Sequence, residues 1–228
     1  MSFELPLKAG LTTTINFDNS MSAAEMQSLI DSAPKYIPYD RYVQFQFADG
    51  TYELDSYLVW NGFMGYGSVR IYGNTGETTG SPYTTQSVVL DAQTQSVSIP
   101  IRLQGNSCHC IFRNIKVSHV SGERAIYLVG NVRADLYYNY IAGDAHVNSW
   151  SYQAIYNSRG YLYALRNTYS ENYHAVTTSS AGMSFLREQA RSGSYPVNIT
   201  YADAGSQVHH YSNFTTARVV GAGSRAYF

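Results

Sequence analysis

The sequence repeats itself, and this limits the folds open to it more than any other feature. The stretch Ile101-Arg-Leu-Gln-Gly-Asn106 returns as Ile126-Tyr-Leu-Val-Gly-Asn131, and at the same shift Ile111 falls on Leu136 and Asn114 on Asn139. A third copy runs from Ala154-Ile-Tyr-Asn to Leu165-Arg-Asn167, and a fourth from Ala175-Val-Thr-Thr to Leu186-Arg-Glu-Gln189. The period drifts between about 21 and 29 residues, as it does when loops of unequal length join identical rungs.

Stacked on Asn114, Asn139, Asn167 and Gln189, the copies form columns. Those of Ile111, Leu136, Ala164, Leu186 and of His109, Ala134, Leu162, Ser184 read as inward-facing. Those of Cys110, Asp135, Tyr163, Phe185 and of Cys108, Arg133, Tyr161, Met183 read as outward-facing. Alternation along each rung combined with register between rungs describes an all-β fold, a parallel β-helix or solenoid. Each strand pairs with its copies above and below at about 4.8 Å, and the amide column supplies a hydrogen-bonded ladder at the turn.

A solenoid has open ends, and an open sheet edge templates further pairing unless it is covered. Ser22-Ala-Ala-Glu25 is a capping box, and Met26, Leu29 and Ile30 form an apolar stripe that Pro34 ends. We therefore expect a short N-terminal capping helix within residues 1–40, coils over 41–204, and a closing strand or cap segment over 205–228. No second helix of comparable quality is signalled; 183–191 is the nearest contender.

Fifteen basic against sixteen acidic side chains leave a net charge of -1, so nothing draws the chain to nucleic acid. No basic and apolar leader opens the chain and no apolar run is long enough to span a bilayer, so neither a signal peptide nor membrane insertion is expected. Cys108 and Cys110 share one strand face and are expected as free thiols. No D-x-D calcium pattern occurs, and His209 and His210, adjacent on a strand, point opposite ways; no metal and no cofactor is expected.

The opening coil, Phe45-Gln-Phe-Ala-Asp-Gly-Thr-Tyr52 followed by Val69-Arg-Ile-Tyr-Gly73, resembles the start of right-handed parallel β-helix proteins of the pectate-lyase-like superfamily. Such openings recur in secreted polysaccharide lyases and in phage tail-spike and tail-fibre proteins. The resemblance spans roughly residues 20–190 and implies architecture far better than activity. With no leader, it points to the phage side: a homotrimeric virion component, on the tail or extracellular after release. Its partners would be cell-surface polysaccharide and other virion tail proteins. The alternatives are a polysaccharide hydrolase or lyase and a purely structural spacer.

Two sets of residues are candidates for function. Asp144 and Glu171 follow their ladder Asn by five and four residues, a spacing that suits a carboxylate pair on adjacent coils, with His146 and His174 beside them as a base or ligand. Solvated turn residues are the commoner fate of such groups, so binding is expected over catalysis. Tyrosine is the other signal, with 22 in the chain and nine between 137 and 173. Outward Tyr138, Tyr161, Tyr163 and Phe185 are expected to meet either glycan or a neighbouring subunit, since aromatic faces suit both.

Overall fold

The computed structural model describes residues 12–73, 86–95, 97–120, 124–143, 153–172, 174–192, 198–211, 217–219 and 222–227. The chain winds as a right-handed parallel β-solenoid with a short N-terminal helix. Three parallel sheets of nine, seven and six strands run its length. A single coil shows the pattern: Arg124–Val129 joins the seven-stranded sheet, Arg133–Tyr137 the nine-stranded and Tyr140–Gly143 the six-stranded. Met183–Arg187 is a strand of the nine-stranded sheet, and Ala23–Ser32 is the α-helix of the described residues.

The helix begins as its sequence requires. Ser22 Oγ accepts from the Glu25 N–H at 3.3 Å, and Glu25 Oε2 accepts from the Ser22 N–H at 2.8 Å. Ala23, Met26 and Ile30 are buried beneath it. The cap also acts through a side chain. Gln27 lies against Leu58–Asn61, the first strand of the seven-stranded sheet, where its Oε1 accepts from Val59 N–H at 2.8 Å and its Nε2 donates to Val59 O at 3.0 Å. One carboxamide thus satisfies both backbone groups that Val59 would otherwise leave open at this edge for another chain.

The core changes along the axis. The first coils are filled by Phe17, Phe45, Phe47, Tyr52, Trp60 and Phe63, whose rings meet mostly edge to face, as with Phe45 and Trp60 at 5.9 Å and 77°. Later coils are lined by Ala134, Ala154, Ala164 and Ala175, and polar groups enter the interior. Asn157 Nδ2 donates to Ser184 Oγ at 3.0 Å, and Thr178 Oγ1 lies 2.6 Å from the same oxygen.

The amide ladder exists, shifted by one residue in its first coil. Asn139 donates its backbone N–H (3.0 Å) and its Nδ2 (2.9 Å) to Asn167 Oδ1. Asn167 Nδ2 in turn donates to Leu136 O and Gln189 Oε1, and Gln189 Oε1 also accepts from Tyr169 Oη at 2.7 Å. Below Asn139 the position is held by Ile115, not by Asn114: the Ile115 N–H donates to Asn139 Oδ1 at 3.1 Å. Asn114 instead occupies the left-handed turn site with Tyr138, Arg166 and Glu188, at φ +59°, +56°, +54° and +50°. Matching Asn with Asn placed the first copy one residue out, because two neighbouring positions of this turn both suit Asn, one for its side chain and one for its backbone.

That slip reverses every face assignment on the strand His109–Arg113. Ile111 pairs with Asp135 and Phe112 with Leu136. The inward columns are therefore Phe112, Leu136, Ala164, Leu186 and Cys110, Ala134, Leu162, Ser184, whereas Ile111 and His109 are half-exposed on the outside. Cys110 and Cys108, expected on the outer face, are both buried, and both are free thiols. The alternation at His209 and His210 does hold: His209 is half-buried outside and His210 buried.

Candidate functional site

The outer face of the seven-stranded sheet carries a cleft of about 230 Å3 lined by Arg124, Gln153, Tyr156, His174, Thr177, Ser179, Tyr201 and Asp203. It is built from one column. Registers place Tyr127 beside Tyr156, Tyr156 beside Thr177 and Thr177 beside Tyr201 on successive coils. Three tyrosines in this column are thus interrupted by one small residue. Since each coil advances about 4.8 Å, the Tyr156 and Tyr201 backbones stand about 9.6 Å apart, with the buried Thr177 between them.

Polar groups close the two remaining sides. On one, the Arg124 guanidinium lies 4.0 Å from the Tyr156 ring centroid and 5.0 Å from that of Tyr127, and its Nε donates to Gln153 Oε1 at 3.2 Å. These contacts hold the cation in place, and among the described residues it makes no ion pair. His174 is buried next to Gln153 in register, its ring 5.2 Å from that of Tyr201. On the other side Ser179 Oγ donates to Tyr156 Oη at 2.7 Å, and Asp203 Oδ1 accepts from the Ala204 N–H at 2.7 Å.

The nine-stranded face shows what an uninterrupted column does. There Phe185, His209 and Tyr227 follow one another in register, and their rings stack at 4.5 Å with interplanar angles of 8° and 12°. They fill each other's contact surfaces and leave no slot. Tyr161 joins them, 5.2 Å from Phe185, and is 38% exposed. Tyr163 pairs with Phe185 in register and its ring lies 6.1 Å from Tyr137.

Of the residues singled out from sequence, only His174 lines the cleft. Asp144 and His146 lie outside the described residues. Glu171 is half-buried at φ +53°, directly after the strand Thr168–Ser170 of the six-stranded sheet. Tyr138 sits in the left-handed turn, held by Arg166 Nη1 donating to its Oη at 3.3 Å and by the Arg113 guanidinium 5.3 Å from its ring. Sequence reasoning did not gather Arg124, Gln153, Tyr156, Thr177, Tyr201 and Asp203. The signal was present: carrying the repeat from Ile126-Tyr127 through Ile155-Tyr156 and Val176-Thr177 aligns the column residue by residue.

On the nine-stranded face, His109 Nε2 lies 2.9 Å from Asp135 Oδ2, and Tyr137 Oη donates to the same oxygen at 2.7 Å. Burial alone raises the Asp135 pKa, but contacts from His109 and Tyr137 and the charges of His109 and Arg133 outweigh it and hold it below the ordinary 3.8. A depressed carboxylate stabilises the fold above its unfolded pKa, and that stability is lost as pH falls through the folded value. Asp135→Asn is therefore expected to be less stable than wild type at neutral pH, with the gap closing below about pH 3.8. Urea midpoints measured from pH 2 to 7 check this, and a pH-independent gap would exclude it.

Comparison with protein-family models, with curated proteins and with solved structures finds no match to the chain. The class it belongs to is defined by its architecture, an all-β parallel solenoid with a short capping helix. No helix among the described residues is long and apolar enough to cross a membrane.

Proposed function

We propose that this protein is a glycan-binding β-solenoid of the phage tail-fibre or tail-spike kind, which meets cell-surface polysaccharide through the cleft on its seven-stranded face. The observation that carries the reading is the interrupted tyrosine column: Tyr156 and Tyr201 flank the small, buried Thr177, with hydrogen-bonding groups at both sides. Aromatic faces bind the C–H faces of sugars, and the surrounding amide, hydroxyl and charged groups suit their hydroxyls. In the same reading the ring stack of Phe185, His209 and Tyr227 lies against a second copy in a homotrimer, with other virion tail proteins at the ends.

The test is a glycan array probed with the full chain and with Tyr201→Ala, together with solution mass by light scattering. We expect a trimer that binds a small set of glycans, and at least a tenfold loss of affinity in the variant, since one aromatic face contributes roughly 1 kcal/mol or more. Absence of any bound glycan would overturn the reading. Glycan shortening during incubation would favour a hydrolase or lyase, with Asp144 and Glu171 the residues to change next. A monomer at all concentrations would remove the self-contact but leave glycan binding standing.

A further inference from the structure

The net charge of -1 hides an uneven distribution. Ten acidic and four basic side chains lie in residues 1–91, six acidic and eleven basic in 92–228, so an acidic first part precedes a basic remainder. From Ile101 onward the seven-stranded sheet belongs to the basic part. We propose that Arg102, Tyr127 and Arg124 form an oxyanion site on its outer face, which takes a carboxylate or sulfate substituent of the bound glycan. The proposal rests on the glycan-binding reading above and adds the charge of the ligand and a contact one coil beyond the cleft.

Winding brings the three residues together. Arg102 pairs with Tyr127 in register, one coil before it. Both point outward, because Ile101, Leu103, Ile126 and Leu128 on either side of them are buried. Backbones at this pairing stand about 4.8 Å apart, so the two side chains are neighbours on the face. Arg124 meets the same ring from its own strand, with its guanidinium 5.0 Å from the Tyr127 centroid and 4.0 Å from that of Tyr156. Tyr127 therefore has one arginine beside it on the preceding coil and a second against its ring.

What sets these two arginines apart is the kind of group that holds them. Arg166 and Arg187 lie against a carboxylate, that of Glu188, at 2.6 and 3.1 Å. Arg102 and Arg124 are held by rings instead: Arg102 lies 4.0 Å from the Tyr57 centroid, and Arg124 adds to its two ring contacts an Nε bond to Gln153 Oε1 at 3.2 Å. A ring face holds a guanidinium in place while leaving its terminal N–H groups for another acceptor. Among the described residues, the terminal nitrogens of both arginines and the Tyr127 hydroxyl donate to no acceptor. Two guanidinium forks and a hydroxyl around one ring favour a full negative charge, since charge-assisted bonds are roughly twice as strong as neutral ones. Holding the long side chains in advance lowers the entropy lost on binding. Asp203 does not neutralise the pair, because it lies three coils beyond Tyr127, about 14 Å along the axis against a Debye length of about 8 Å.

The test uses the full chain and three probes on one neutral backbone: dextran, carboxymethyl dextran and dextran sulfate of equal length. Affinities are read by calorimetry for wild type, Arg102→Gln, Arg124→Gln and Arg133→Gln, with circular dichroism confirming the fold of each. Arg133 is exposed on the nine-stranded face, so its replacement removes the same charge from a different surface. Wild type is expected to bind one of the two anionic dextrans at least tenfold more tightly than dextran, and the stronger of them identifies the anion. Arg102→Gln and Arg124→Gln should each lose about fivefold or more on that probe, while Arg133→Gln stays within about twofold of wild type. Equal affinity for neutral and anionic dextrans would overturn the site. So would an equal loss in all three variants, which would assign the preference to the overall field. Neutral glycans alone bound on the array would overturn this inference and leave the glycan reading standing, whereas a blank array removes that reading and the inference with it.

Discussion

Asn167→Ala is expected to cost on the order of 3 kcal/mol, because the change leaves a buried donor without an acceptor rather than simply deleting contacts. Asn167 is fully buried and stands between two other amides of the ladder. Its Oδ1 is the acceptor for the Asn139 backbone N–H at 3.0 Å, and Asn139 is fully buried inside the turn. Asn139 Nδ2 still reaches Phe112 O at 3.1 Å, and Gln189 Oε1 keeps Tyr169 Oη, so the loss concentrates on that one backbone donor and on the cavity. Urea denaturation of Asn167→Ala against Tyr211→Ala, an exposed control expected within about 0.5 kcal/mol of wild type, measures the difference. A cost below about 1 kcal/mol would show that the ladder is decoration and that strand pairing alone sets the coil spacing.

Gly143→Ala is expected to be of similar size, about 3 kcal/mol, for a steric reason. A Cβ at Gly143 would sit 2.3 Å from the carbonyl oxygen of Glu171 on the next coil, and backbone cannot yield without spreading the two coils. The same bare position lets His119 span a whole coil: it pairs with Gly143 in register, yet its Nε2 lies 2.6 Å from Asn172 Oδ1 one coil further on. Widening the gap strains that buried contact too. Gly130→Ala separates the causes, since Gly130 has φ +78° but nothing within 4 Å of the added Cβ. Its cost, purely conformational, should be about 1–2 kcal/mol. If the two variants melt together, the close approach at Gly143 is not what fixes the coil spacing.

The solenoid was legible because its physics repeats in sequence. Every rung must alternate apolar with polar residues and must register with the rung above, so Ile101 through Leu103 and Ile126 through Leu128 had to look alike. The capping helix was legible for a local reason, since Ser22 and Glu25 satisfy each other's backbone donors within one turn. The ladder was legible from Asn139 onward and misread at Asn114. Side-chain identity alone does not tell a left-handed backbone site from the amide site beside it.

The cleft was not legible in the same way, although its residues were. Sequence determined that an outward column would carry Tyr127, Tyr156, Thr177 and Tyr201, because pairing register is a property of the repeat. Which sheet that column lies on, and that Arg124 from one coil and Asp203 from three coils later close its ends, were decided only by the winding. The physical reason is that a parallel solenoid stacks residues more than twenty positions apart at under 5 Å, so neighbours in the cleft are strangers in the chain. Sequence carries the period, and the coil lengths between strands set what that period brings together.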